Sequence, residues 1–384
     1  MNATAPGAAE ARVLVVNAGS STLKLSVLEP DGSLGAHADI GTPDGVPPSA
    51  VPGFVRGAGR VDAVGHRVVH GGNAFAGPVR VTPDVVAGIA ALAPLAPLHQ
   101  GRALAAIDAV RAALPDTPAV ACFDTAFHRT IPDEAATYAL PRAWRDKWHL
   151  RRHGFHGLSH AYAARRGAEL AGLRPASARV VSCHLGAGAS LCAVRGGVSV
   201  DTTMGFTPTE GLVMATRPGD VDPGLLVWLL RQGVTLDELD DALEHGGGLS
   251  ALASGGGDMK ALRDAAAAGD PEARQARAVY TYRLGTRIAT MAAGMGGLDA
   301  LVFTGGVGEH DAAVRADATA RLAFLGVRLD AETNETTHAD GDISAFDATV
   351  PTLVVTARED LEIAAQTRHV LADDPPPADD EPVL

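Results

Sequence analysis

Arg67, Arg217, Asp124 and His156 stand out in this sequence because each lies where an apolar run meets a turn of glycine, proline or small polar residues. Arg67 sits in Gly65-His66-Arg67-Val68-Val69-His70-Gly71-Gly72, and Arg217 sits in Met214-Ala215-Thr216-Arg217-Pro218-Gly219-Asp220. An arginine at a strand end can fork bidentately onto a carboxylate or a phosphate, with a structural ion pair as the competing reading. Asp124 follows the apolar run Val120-Ala121-Cys122-Phe123, at the kind of strand end where α/β proteins place ligands. It can hold Mg²⁺ directly or through water, or it can cap the turn that follows. His156 belongs to the segment Arg151–His160, where Gly154 and Gly157 break any helical ligand spacing between the histidines. That pattern suits donors to an anion better than zinc ligands, the alternative being a turn in which Ser159 caps the next helix. Glu359 and Asp360 open a final helical pattern, where acidic residues are ordinary partners of the helix dipole.

Three glycine-rich turns are available to position such groups around an anion. They are Asn17-Ala18-Gly19-Ser20-Ser21-Thr22-Leu23-Lys24, His184-Leu185-Gly186-Ala187-Gly188-Ala189-Ser190 and Thr304-Gly305-Gly306-Val307-Gly308-Glu309, each preceded by an apolar strand. Glycine lets backbone amides approach an anion closely, so each turn can form an anion-binding nest. Cationic clamps, carboxylates and three such nests together point to phosphoryl transfer. After the first turn, Leu23, Leu25 and Val27 alternate with Lys24 and Ser26, which predicts a returning strand and excludes a P-loop. Val180–His184 and Leu191–Val194 repeat that hairpin about half a chain length later, which suggests two related halves. Helical patterns cover 83–93, 101–114, 161–170, 225–232, 236–244 and 271–295. The reading is therefore α/β: two duplicated domains with a nucleotide cleft between them.

At 384 residues the chain exceeds the size at which one core stops growing, so two domains are expected. The expected boundaries are a disordered tail over 1–10, a first domain over 11–150 joined by a helix at about 360–372, a second domain over 151–359, and a disordered acidic, proline-rich tail over 373–384. A net charge of −13 argues against nucleic acid or an anionic membrane as partner. Cys122, Cys183 and Cys192 show no paired or zinc-like spacing, which fits a reduced, cytoplasmic chain. No run of about 18 apolar residues predicts a membrane span.

Taken in order, these motifs resemble the acetate and propionate kinase family of the actin-like ATPase superfamily. The resemblance runs from about residue 12 to 370. It rests on Asn17–Lys24, His66–Gly72, Ala96–His99, Phe123–His128, Gly154–Gly157, Met204–Gly211 and Phe303–Glu309. It implies direct in-line, reversible transfer of the ATP γ-phosphoryl group to acetate, giving acetyl phosphate and ADP, with Mg²⁺ or Mn²⁺. It assigns Arg67, Arg217, Asp124 and His156 to catalysis, with His156 and Arg217 stabilising the transition state. It places Ser20, Thr22, Lys24, His184, Gly186, Gly188, Gly305, Gly306, Val307 and Gly308 near the ATP phosphates, and Asn17 and Glu359 near the metal. Arg67, Val69, Leu98, Phe155 and Pro208 would hold the acid substrate. A homodimer built through the second domain, which also carries the nucleotide site, is a further implication.

The chain departs from the family pattern at Ala187, where asparagine is usual, at Thr22, at Gln100-Gly101 and at Ala357-Arg358. Compensation for the asparagine missing at 187 would come either from a neighbouring side chain such as Ser190 or from a different donor substrate. Propionate or another short-chain acid as acceptor, pyrophosphate as donor, or a catalytically weak nucleotide-binding protein are the alternative readings.

Overall fold

The computed structural model describes residues 7–373 apart from residues 20, 21, 43, 44, 46 and 48, and leaves out the side chains of residues 97 and 98. The chain divides after Phe127 and again after Ala357, so that one unit runs up to Phe127 and resumes at Arg358 while the other is continuous from His128 to Ala357.

In the first unit, β1 (Val13–Ala18), β2 (Thr22–Leu28), β3 (Leu34–Gly41), β4 (Ala63–Val68), β5 (Val79–Arg80) and β6 (Ala119–Phe123) form one sheet in the order β3-β2-β1-β4-β6-β5. β1, β2 and β3 are antiparallel neighbours, β4 and β6 add in parallel, and β5 closes the edge antiparallel to β6. The near-continuous apolar run of β1 follows from cover on both faces. Leu14, Val16 and Val64 pack with Ala106 and Val110 of the helix Pro97–Ala113. On the opposite face the helix Glu359–Asp373 comes so close that a Cβ on Gly65 would lie 2.6 Å from Ile363 Cγ2 and 2.5 Å from Thr367 Oγ1. Glycine at 65 is what admits that helix.

The second unit repeats the design. Its strands are β7 (Arg179–Leu185), β8 (Ala189–Arg195), β9 (Val198–Thr202), β10 (Ala300–Thr304), β11 (Gly341–Asp342) and β12 (Thr352–Val354). Read from the β9 edge, the order β9-β8-β7-β10-β12-β11 matches the first sheet strand for strand, with the same parallel and antiparallel pairings. The helices Gly157–Leu170 and Pro271–Met295 pack on this sheet. The duplicated α/β architecture expected from the two hairpins is thus present as two six-stranded sheets.

Four expected boundaries shift. Residues 128–150 belong to the second unit and not the first, because His128 Nδ1 lies 2.9 Å from Ser199 Oγ and Thr130 Oγ1 donates to the Ser199 carbonyl at 2.7 Å. Arg358 and Glu359 belong to the first unit, Glu359 as the opening residue of the helix that covers β4. Ala8–Glu10, expected in a disordered tail, forms a helical turn just before Ala11, whose carbonyl accepts from Arg368 Nε at 3.1 Å. Residues 1–6 and 374–384, the rest of the expected tails, lie outside the described residues, and Asp373 ends the last helix.

Arg315 ties the elements that follow β10. It is 1% exposed, and its guanidinium donates to the carbonyls of Gly308 at 2.9 Å and Glu309 at 2.8 Å and to both oxygens of Asn334 at 2.6 and 2.8 Å. The side chain thereby satisfies helix-end carbonyls that are shut off from water. Arg315→Met keeps most of the volume and leaves these acceptors without a donor, which is expected to cost about 2–4 kcal/mol. Urea unfolding checks this; a variant of unchanged midpoint and slope would show that the network contributes no stability.

Candidate active site

Three adjacent parallel strands bring the first set of groups together. β4 lies between β1 and β6, with Val16 opposite His66 and Arg67 opposite Cys122. Asn17, Arg67 and Asp124 therefore sit side by side at the carboxyl ends of the strands, and the Asp124 N–H extends the ladder to the Val68 carbonyl at 3.0 Å. Arg67 grips the Asp124 carboxylate through Nη2 at 2.6 Å and Nε at 3.2 Å. Its Nη1 donates to Asn17 Oδ1 at 3.1 Å, and Asn17 Nδ2 donates to Glu359 Oε2 at 3.2 Å. The capping alternative for Asp124 gives way to this ion pair.

Burial raises the Asp124 carboxyl above its ordinary value; Arg67 opposes that shift and Glu359 adds to it. For Arg67, burial works against the charge, but Asp124 and Glu359 outweigh it and hold the guanidinium above its ordinary value. A permanently charged guanidinium at 2.6 Å keeps Asp124 ionised at neutral pH. Two carboxylates and one arginine leave this corner net negative, and with the Asn17 amide they form an oxygen-rich donor set. Such a set fits a hard divalent cation that takes its other ligands from water and phosphate.

The other first-unit residues surround this corner unevenly. Thr22 opens β2, and its carbonyl accepts from the Gly19 N–H at 2.8 Å, closing the turn. Lys24 is exposed on β2 opposite Asn17, and Val69 is buried just after β4. Ser20 and the side chain of Leu98 lie outside the described set. Gln100, one of the departures, is fully buried and braces the backbone of His70, donating to its carbonyl at 2.9 Å and accepting from its N–H at 3.4 Å.

In the second unit, the equivalent strand ends carry different chemistry. His184 on β7 lies opposite Thr304 on β10. His156 precedes the helix Gly157–Leu170 with a left-handed φ of 55°, uncommon for a residue with a side chain. Ser159 does not cap that helix; its hydroxyl lies 2.7 Å from His184 Nδ1. The His156 and His184 rings stack with centroids 4.3 Å apart. A Cβ on Gly188 would lie 3.6 Å from His156 Cε1 and 3.9 Å from Arg217 Nη1, so imidazole and guanidinium meet at the second glycine turn. Arg217 is anchored by Nη1 to the Pro208 carbonyl at 3.3 Å and by Nε near Glu244 Oε2 at 3.2 Å. Phe155 is buried, and its carbonyl lies 2.9 Å from His128 Nε2.

The glycine turns are more specialised than three equal nests. The third is a strand entering the short helix Gly305–His310, with Gly305 at φ 79° and a Cβ there meeting the Leu185 carbonyl oxygen at 2.8 Å. Gly305 N–H donates to Glu309 Oε1 and Gly186 N–H donates to the Gly188 carbonyl, so both amides close their own turns instead of facing outward. Glu309 Oε1 also accepts from the Ala357 N–H at 2.9 Å, fixing the third turn to the segment after β12. Ala187 is exposed at its turn. Ser190 does not compensate for it, because the Ser190 hydroxyl is buried against His156 and His160. Glu244 was not legible as a partner of Arg217, whereas Glu309 had a signal, an acid inside a glycine motif.

The chain is similar to known proteins over most of its length. The acetokinase family matches residues 54–365. An acetate kinase from Deinococcus deserti is 44% identical over 94% of this chain and 98% of its own length. The crystal structure of Porphyromonas gingivalis acetate kinase superposes with a TM-score of 0.86 at 34% identity, covering 94% of this chain and 100% of that one. A propionate kinase structure from Francisella tularensis gives 0.86 at 32% identity, with the same shares of the two chains. With a matching family model over most of its length and relatives this similar from end to end, the chain belongs to the acetokinase family.

Proposed function

We infer that this chain transfers the γ-phosphoryl group of ATP to acetate, reversibly, forming acetyl phosphate and ADP. The observation that carries this reading is the Arg67–Asp124 pair at adjacent strand ends, tied through Asn17 to Glu359, in a member of this family. Acetate is already a carboxylate at pH 7, its pKa being close to that of a side-chain carboxyl at about 4. The acceptor needs no general base, and the barrier to overcome is repulsion between two anions.

Each group then has an electrostatic task. Arg67 has five N–H donors, of which Asp124 and Asn17 take part, and the remaining Nη hydrogens are available to the acetate carboxylate. Asp124 fixes the orientation of that fork and takes no proton. Asn17 and Glu359 would hold Mg²⁺ or Mn²⁺, which supplies charge neutralisation to the nucleotide phosphates when bound. His156 and Arg217 donate to the transferring phosphoryl group, and His184, Gly188, Gly306, Val307 and Gly308 face the rest of the phosphate chain. By the same reading, Lys24, Ser20 and Thr22 lie near the phosphates, and Val69, Leu98, Phe155 and Pro208 contribute apolar contacts to the acid.

The second unit carries the nucleotide and the surface for a second copy of the chain. Supporting the latter, the helix Pro223–Arg231 has no buried residue and exposes Leu225, Val227, Trp228 and Leu230. Among the described residues no helix is long and apolar enough to cross a membrane.

A hydroxylamine trap with ATP, acetate and Mg²⁺ tests the function. Acyl phosphate is expected only when a divalent ion is present. No product from acetate, or full turnover in excess chelator, would overturn the reading. Running propionate beside acetate separates the two acids, which the likeness to structures of both kinds does not.

Arg67→Lys keeps the charge and loses the fork. It is expected to lower kcat/KM about 100-fold or more. Wild-type kinetics in a folded variant would leave Arg67 a purely structural role. At Ala187, asparagine has room at an exposed turn and restores a side-chain amide. A hydrogen bond to a charged group contributes about 1.5–3 kcal/mol, so Ala187→Asn is expected to raise kcat/KM for ATP about 10-fold with little change in KM for acetate. No gain on ATP in a folded variant would defeat this account of position 187.

A further inference from the structure

Behind His156 runs a line of side chains that no step above uses. Ser190 Oγ lies 2.9 Å from His156 Nδ1 and 2.8 Å from His160 Nε2. His160 Nδ1 lies 3.0 Å from Ser182 Oγ. Ser182, His160 and Ser190 are all 0% exposed, so bulk water cannot stand in for any of these partners.

Valence restricts how protons are arranged along this line. A serine hydroxyl has one proton, and a neutral imidazole has one N–H. His160 is neutral at pH 7, since burial, reinforced by His128 and His184, pushes it well below its ordinary value. Ser190 can give its proton to only one of the two rings, so the other ring must donate to Ser190. Two polarities satisfy every contact. In the first, Ser182 donates to His160 Nδ1, His160 Nε2–H donates to Ser190, and Ser190 donates to His156 Nδ1. The His156 proton then sits on Nε2. In the reverse polarity His156 carries its proton on Nδ1, and the neutral ring presents a bare lone pair at Nε2.

The outer edge of the ring selects between them. A Cβ on Gly188 would lie 3.7 Å from His156 Nε2 and 3.9 Å from Arg217 Nη1, so Nε2 faces the place where a glycine turn and a guanidinium meet. A phosphoryl oxygen there is stabilised by an N–H and repelled by a lone pair.

We propose that Ser182, His160 and Ser190 are positioning residues, a buried hydroxyl–imidazole chain that holds His156 as its Nε2–H tautomer and so presents a donor to the transferring group. The identity of the anion rests on the phosphotransfer reading. The tautomer is a property of the resting protein and is measurable without turnover.

The test uses the full chain labelled with ¹⁵N-histidine and long-range ¹H–¹⁵N correlation at neutral pH, with the His156 signals assigned by their loss in His156→Gln. The expected wild-type pattern is a protonated Nε2 and an unprotonated Nδ1. Ser190→Ala is expected to give mixed His156 tautomers and to lower kcat about 10-fold or more with little change in KM for acetate. Ser190→Thr, which keeps the hydroxyl, is expected to retain the wild-type tautomer and most of kcat. A proton on Nδ1 of wild-type His156, alone or together with Nε2, overturns the proposal. So does a folded Ser190→Ala with unchanged tautomer and kcat. The wild-type spectrum decides even if the alanine variant does not fold. An Nε2–H tautomer in a protein that makes no acyl phosphate would support the chain's polarity and remove the phosphotransfer reading instead.

Discussion

The first unit's site depends on the ion pair between Arg67 and Asp124. Both side chains are largely withdrawn from water, so the pair adds little net stability over an apolar pair of the same size, yet either partner alone would be costly. Its value is geometric. The pair can form only if β4 and β6 keep their register and Asp124 follows β6 without an intervening residue. The orientation it gives to the guanidinium sets the position of Asn17, and Asn17 sets that of Glu359. The charge of this arginine is thus already partly answered, which makes its remaining donors directional and not merely attractive.

The same six-strand order serves the second unit with different side chains at its strand ends. Where β1, β4 and β6 end in charged groups and an amide, β7 and β10 end in His184, Thr304 and glycines, and the neighbouring side chains are imidazoles and hydroxyls. The guanidinium that joins them, Arg217, comes from outside the strands and is paired with Glu244.

Much of the frame was legible in the sequence. The two hairpins were visible because apolar alternation flanks their glycine turns, and the helices Leu236–Glu244 and Pro271–Met295 were legible to the residue because polar caps and Pro271 mark their starts. The unit boundary was not, since residues 128–150 join the second unit through His128 and Thr130 to Ser199, contacts with no local signature. Asn17, Arg67 and Asp124 were legible as types at strand ends, whereas Arg217, expected at one, lies in a segment without a strand, and the pairings were not legible at all. Asn17 and Glu359 are separated by 342 positions, and nothing in either neighbourhood names the other. The same holds for Arg217 and Glu244, while Ser159 misled because a serine at a helix start reads as a cap until a histidine from β7 meets its hydroxyl.

The return of the chain at Arg358 has a consequence for biosynthesis. The first unit's sheet is complete once residue 123 has been made, but one of its faces and its Glu359 arrive only with the helix Glu359–Asp373. A ribosome therefore releases the whole of His128–Ala357 before the earlier strands can finish packing. During that interval the apolar face around Gly65 waits for Ile363 and Thr367. In order of completion the continuous second unit comes first, and the unit that begins the chain is the last to close.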